Sequence, residues 1–144
     1  MGIGALLVWF LTFGPGEETG WRGFALPRLQ KGRSALAATV VLWVFWALWH
    51  LPLFFYLYDV TVIVGLFLGL LAGAITFTWL YNSTGGSILM TAGWHGAFDF
   101  VTGCITCKAG IAAAILSTCV MIWAVVVVVW FKPAVVSRAD TQVC

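Results

Sequence analysis

Between Arg33 and Asp59, between Asp59 and Asp99, and again between Lys108 and Lys132, the chain carries no Lys, Arg, Asp or Glu. A soluble globule must cover itself with polar side chains, and a chain with uncharged stretches this long has too few to do so. Only 8% of the 144 residues are charged and 62% are hydrophobic, where a soluble domain carries roughly a quarter charged residues. A soluble enzyme, a disordered chain, a nucleic-acid binder and a disulfide miniprotein are thereby excluded. The apolar residues must face the lipid bilayer, or one another within it. Backbone polar groups in lipid must be satisfied inside their own segment. The expected fold class is therefore all-α, a polytopic transmembrane helix bundle of about four to five spans.

The chain reads as a single membrane-embedded domain over residues 1–131, with its core at 14–102 and a polar C-terminal tail at 132–144 that is expected to be mobile. It starts almost directly in apolar sequence, without the basic region of a signal peptide, and reads as a shortened form of something with more spans. Residues 3–13 make about half a span, and Gly14-Pro15-Gly16 is expected to break or kink the helix. Residues 17–30 are compatible with a helix, and Ser34 is placed to cap the next one. Spans are expected at 35–58, 60–81, 88–103 (shorter and more polar) and 110–131. Trp79 and Tyr81 stand where interfacial anchors would. Gly65, Gly69 and Gly73 form a small-residue face that lets helices approach closely.

Arg28, Lys31 and Arg33 flank one loop, and Lys132 and Arg138 lie beyond the last span, so an even number of spans places all five on one side. The opposite side has only Lys108. This imbalance predicts an integral membrane protein of a bacterial or archaeal cell membrane with its C-terminus in the cytoplasm.

The ionisable residues left in the spans or at their edges are Glu17, Glu18, Arg22, His50, His95 and Asp99. Ionisable groups in a bilayer are costly and mark a functional site by default. Glu18 and Arg22 are i,i+4 on a helix and can pair. Glu17 projects about 100° away and has no partner within the motif. A carboxylate without a cation in a low-dielectric site holds a proton more tightly, as a general base acting near neutrality must; the bland alternative is an interfacial charge cluster. His50 shares a helical face with Trp46, and alone it reads equally as a hydrogen-bonded packing residue. His95 and Asp99 also share a face, so the carboxylate either fixes the imidazole tautomer and raises its basicity or joins it in a metal site. Gly93, Gly96 and Ala97 beside them would let another helix, or a substrate backbone, come close. Together the six residues form a set able to hydrolyse an amide. A glutamate deprotonates water, with or without a metal, and His or Asp-type groups stabilise the oxyanion.

In this order the residues resemble the CPBP family, the CAAX-protease and bacteriocin-processing (Abi-like) intramembrane endopeptidases. The family pattern is EExxxR, then FxxxH, then HxxxN/D, each on a membrane helix. Here the first motif is Glu17-Glu18-Thr19-Gly20-Trp21-Arg22, continued by Gly23-Phe24-Ala25-Leu26-Pro27-Arg28-Leu29. The second is Trp46-Ala47-Leu48-Trp49-His50, and the third is His95-Gly96-Ala97-Phe98-Asp99. Thr84-Gly85-Gly86-Ser87 is similar to the family's Thr-Gly-Ser element.

The resemblance implies a membrane endopeptidase acting on peptide or protein substrates, CAAX-type and prenylated or of the leader and bacteriocin type. Glu17 would activate water with the help of His50, while His95 and Asp99 would stabilise the oxyanion or contribute to a metal site. Glu18 and Arg22 would support the geometry. A divalent metal such as zinc would take Glu17, His50, His95 and Asp99 as ligands, but there is no HExxH motif and metal use stays open. Two positions depart from the pattern. Trp46 stands in place of Phe, which narrows any cavity. Asp99 stands where many members have Asn, and an anion stabilises an oxyanion poorly unless it is protonated or metal-bound.

Two other readings stay open, a non-catalytic immunity or scaffold protein and an ion- or proton-pathway subunit. The enzyme reading requires Glu17, His50, His95 and Asp99 to converge, and histidines on opposite faces of the bundle would end it. Counted from the shared end, Arg33 to His50 is ~25 Å of helix and Gly86 to His95 ~13 Å. The two come level only if the second span starts late or tilts. Cys104 and Cys107 form a lone C-x-x-C, half of a zinc site or a redox dithiol, and with Cys119 and Cys144 they suggest no disulfide framework.

Overall fold

A computed structural model describes residues 3–57, 60–103, 111–138 and 142–144. Asp59, Cys104, Cys107, Lys108 and Asp140 lie outside the described residues. The described chain is all-α, with no strand. Helix α1 (residues 3–30) runs through α-helical Ile3–Leu11, π-helical Thr12–Gly16, α-helical Glu17–Gly20, π-helical Trp21–Ala25 and α-helical Leu26–Gln30. It is followed by α2 (Ala35–Leu57), α3 (Val60–Ser83), α4 (Ile88–Gly103) and α5 (Ile111–Trp130).

Within α2, α3 and α5 the stretches Ala35–Pro52, Ile63–Ser83 and Ile111–Trp130 are long and apolar enough to cross a membrane. Helix α1 carries the charged motif and α4 has only 16 residues, so three of the expected spans have full length. Large apolar side chains cover much of the outside, while the described charged motif and several polar side chains are buried. Trp49, Val64 and Trp130 are 65%, 70% and 82% exposed, whereas Glu18, Arg22, Gln30, Thr39, Thr78 and Thr91 are fully buried. A bilayer as solvent produces that inversion.

Gly14-Pro15-Gly16 does not break the first helix. Leu11 and Glu17, which flank the segment, both have right-handed helical dihedrals. Pro15 lacks an N–H and its ring presses on the carbonyl one turn back; the wider π turn accommodates both. Gly14 is buried against α4, where a Cβ would lie 2.8 Å from the Ala92 carbonyl oxygen. This close approach seats the charged motif against the helix bearing His95.

The tail is also more ordered than its polar composition suggests. Ser34 caps α2 as expected, its Oγ accepting from the Ala37 N–H at 3.3 Å. The next two orphan donors, the N–H groups of Ala35 and Leu36, find the carbonyls of Ala134 (2.9 Å) and Pro133 (3.0 Å). Asn82 Nδ2 donates to the Val135 carbonyl at 2.7 Å and Gln30 Nε2 to the Val143 carbonyl at 2.6 Å. Val136 is held at φ 51° while its N–H donates to the Lys132 carbonyl at 2.9 Å. The described part of the tail therefore plugs one end of the bundle, and it brings Lys132 and Arg138 to the end that carries Lys31 and Arg33.

Trp79 and Tyr81, the two expected anchors, pack within the bundle. Tyr81 is buried with Leu26, Ala38 and Leu42, with Val143 packed beside them. Trp79 meets Trp123 edge-on at 4.8 Å. The glycine face of α3 serves packing, shared between two neighbours. Gly73 lies against Trp46 and Gly69 against Met121, while Gly65 has open space beside it.

Candidate active site

The buried half of the site is built from α1 and α4. Glu18, Arg22 and His95 are all buried. Arg22 Nη1 donates to Glu18 Oε1 at 2.8 Å, the i,i+4 pair expected from the sequence. His95 Nδ1 lies 2.8 Å from the same oxygen, across 77 residues of sequence. Because Glu18 is already the acceptor for a guanidinium, Nδ1 is the nitrogen that carries hydrogen there. His95 Nε2 faces Asp99 Oδ2 at 3.4 Å. Asp99, whose side chain is 25% exposed, thus places a carboxylate on the far side of the imidazole.

Arg22 needs more than one carboxylate to be buried. Its Nε and Nη2 have no hydrogen-bond partner among the described residues. The guanidinium instead sits in the corner between two perpendicular rings, its Cζ 4.5 Å from the Trp46 ring and 4.2 Å from that of Phe77. Cation–π attraction of this kind is strongest when the pair is dry. Phe77 was not legible as a site residue, because it sits in an uncharged span with nothing to mark it.

Trp46 joins this half to the more open one. Its indole Nε1 donates to Glu17 Oε2 at 3.1 Å, so Glu17, without a partner in its own motif, finds one on α2. Trp46 meets His50 edge-on with ring centroids 5.2 Å apart, and His95 at 5.8 Å. The two histidines flank one indole and are not on opposite faces of the bundle. The indole bridges the difference in height between them, and His50 stands one turn beyond it with Nδ1 2.7 Å from the Trp46 carbonyl. A carbonyl only accepts, so His50 Nδ1 carries hydrogen. Glu17, His50 and Asp99 are half-buried and form the accessible side; Glu18, Arg22 and His95 stand behind them.

Gly96 is the small residue that admits a neighbouring helix, since a Cβ there would meet the Phe10 ring of α1. Gly93 has open space around it.

A zinc ion takes three or four converging protein donors. Among the described residues no group of three or more His, Cys, Asp and Glu side chains is so arranged. Both ring nitrogens of His95 face carboxylates, and His50 and Glu17 are directed onto Trp46. The expected ligands Glu17, His50, His95 and Asp99 do not, as arranged, fit a zinc ion.

Against known proteins, the family described as type II CAAX prenyl endopeptidase Rce1-like matches residues 1–101. CAAX prenyl protease 2 of Methanococcus maripaludis is 36% identical over 99 residues, covering 62% of this chain and 35% of the relative. The chain thus spans about a third of the length of the curated relative it matches. No solved structure matches it.

Proposed function

This chain belongs to the Rce1-like family of type II CAAX prenyl endopeptidases, and on that footing we propose that it is an intramembrane endopeptidase using Glu17 as its base. The substrate is a membrane-associated peptide or protein with a prenylated C-terminal C-a-a-X sequence, whose lipid delivers the scissile bond to membrane level. Leader and bacteriocin-type peptides are the competing substrate class. The observation that supports this reading is the gathering of Glu17, Arg22, His50 and His95, from three helices, around the Trp46 indole.

In the proposed reaction Glu17 takes a proton from water, and the resulting hydroxide adds to the scissile carbonyl carbon. His50 assists Glu17 with the water, its ring oriented by the bond from Nδ1 to the Trp46 carbonyl. The carbonyl electron pair moves onto oxygen, and the His95–Asp99 pair, 3.4 Å apart, stabilises the oxyanion when it carries a proton, which answers the departure at Asp99. Glu17 then passes its proton to the leaving nitrogen, the C–N bond breaks and the carboxylate is regenerated. Glu18 and Arg22 hold His95 in place.

Purified Glu17→Ala, His50→Ala and His95→Ala variants in detergent test this on a farnesylated, internally quenched peptide ending in Cys and two aliphatic residues before its last position. Each variant is expected to lose at least about 10²-fold in rate while keeping wild-type helicity by circular dichroism. Full activity of Glu17→Ala would overturn the reading. The protein is further proposed to lie in the cell membrane with its basic end and C-terminus in the cytoplasm. Cys144, which is exposed, should then resist a membrane-impermeant maleimide in intact cells, with the other cysteines replaced by Ser, and react after lysis.

A further inference from the structure

We infer that Trp46 is a positioning residue for the general base, acting through its indole N–H on Glu17; this rests on the proposed role of Glu17. Trp46 is 3% exposed and meets residues of three other helices. Its Nε1 donates to Glu17 Oε2 at 3.1 Å, its face takes the Arg22 guanidinium at 4.5 Å, and it packs at steep angles against His50, Phe77 and His95. A ring so enclosed cannot turn, so the direction of its N–H is fixed before substrate arrives.

Glu17 needs such a fixture. Glu18 takes the cation of the first motif, and Glu17 sits half-buried on the accessible side with a side chain that has several rotamers. An indole is a donor only. It can hold one carboxylate oxygen without competing for the proton the base must collect, which leaves Oε1 to receive that proton from water. An arginine or lysine in the same place would hold the carboxylate equally well but weaken it as a base. A neutral donor locked by packing orients the base without placing a further cation on it.

The test separates the N–H from the ring. Trp46→Phe keeps an aromatic face over Arg22 and removes the donor. Replacement of Trp46 by 3-benzothienylalanine keeps the bicyclic shape and exchanges only N–H for sulfur. On the farnesylated quenched peptide, the benzothienyl variant is expected to lose about tenfold in kcat, the size of one hydrogen bond to an ionised group. Its KM should stay within about twofold and its melting temperature in detergent should match wild type. Trp46→Phe is expected to lose at least as much in kcat and also to melt lower. Wild-type kcat in the benzothienyl variant, with Glu17→Ala inactive, would overturn this inference and leave the proposed function standing. Full activity of Glu17→Ala would overturn both.

Discussion

The most demanding consequence of the buried network concerns Arg22. Its guanidinium lies 2.8 Å from Glu18 with neither side chain exposed. At that separation the attraction is about 6 kcal/mol in an effective dielectric of about 20, most of it consumed by removing both charges from solvent. Replacing Arg22 by Met, which fills similar space between Trp46 and Phe77, therefore costs less than the attraction itself. What it costs is the exposure of Glu18 as a buried anion, typically about 3–5 kcal/mol. Glu18 keeps the His95 Nδ1 donor at 2.8 Å, which places the expected loss near about 3 kcal/mol. That corresponds to a melting temperature lower by about 6–12 °C for a chain of this size. Nine tryptophans make thermal unfolding in detergent measurable by intrinsic fluorescence. The decisive variant is the double one, Glu18→Gln with Arg22→Met. A neutral Gln still accepts from His95 but leaves no stranded charge, so the double variant should recover at least about half of the loss. A double variant as unstable as the sum of the two single ones would show that the stranded anion is not the source of the penalty.

Three further outcomes follow from other parts of the fold. Gly14→Ala places a methyl 2.8 Å from the Ala92 backbone oxygen and should lower stability by about 1–3 kcal/mol, whereas Gly20→Ala, with nothing within 4 Å, should raise it by about 0.5–1 kcal/mol; paired melts in one detergent compare them. Asn82→Leu removes the donor to the Val135 carbonyl and the partner of Gln30, at about 1–3 kcal/mol, and protease cleavage of the tail should quicken. Peptide cleavage should proceed undiminished after dialysis against EDTA and 1,10-phenanthroline, and a loss that zinc restores would show that a metal assembles at the site.

The sequence revealed the residues of the site more readily than their contacts. In lipid every ionisable side chain stands out against an apolar background, so Glu17, Glu18, Arg22, His50, His95 and Asp99 were visible without any geometry. The pairs within one helix, Glu18 with Arg22 and His95 with Asp99, followed from spacing alone. The bond from His95 to Glu18 did not, because it depends on how closely α1 approaches α4. That approach turns on Gly14, which reads in sequence as a helix breaker beside Pro15. Chain-local rules treat proline as an interruption, yet a π turn absorbs it where tertiary contacts hold both sides. The contacts of the tail were illegible for a similar reason. Its polar composition suggests solvent, but the orphan donors of α2 and the side chains of Gln30 and Asn82 needed acceptors, and nearby carbonyls satisfied them. Phe77 carried no signal at all, since a ring that receives a cation looks in sequence like any other core aromatic.

Clustering of charge is in itself weak support for catalysis, because a bilayer drives any set of buried charges together. The asymmetry between the two glutamates says more. Glu18 receives Arg22 and His95, as a structural ion network would arrange it. Glu17, its immediate neighbour, is met by the neutral N–H of Trp46 and makes no ion pair among the described residues. Glu17→Gln separates the readings. Gln is isosteric, its amide oxygen can still accept from the indole, and no anion has to be kept at membrane level, so the variant should melt at or above the wild-type temperature. In a scaffold that change would be silent or beneficial. In the enzyme proposed here the same variant should be at least as stable as wild type and without cleavage activity, the trade of stability against function that an active site imposes. A variant that is stable and fully active would remove Glu17 from the reaction, and with it the reason to read this cluster as catalytic.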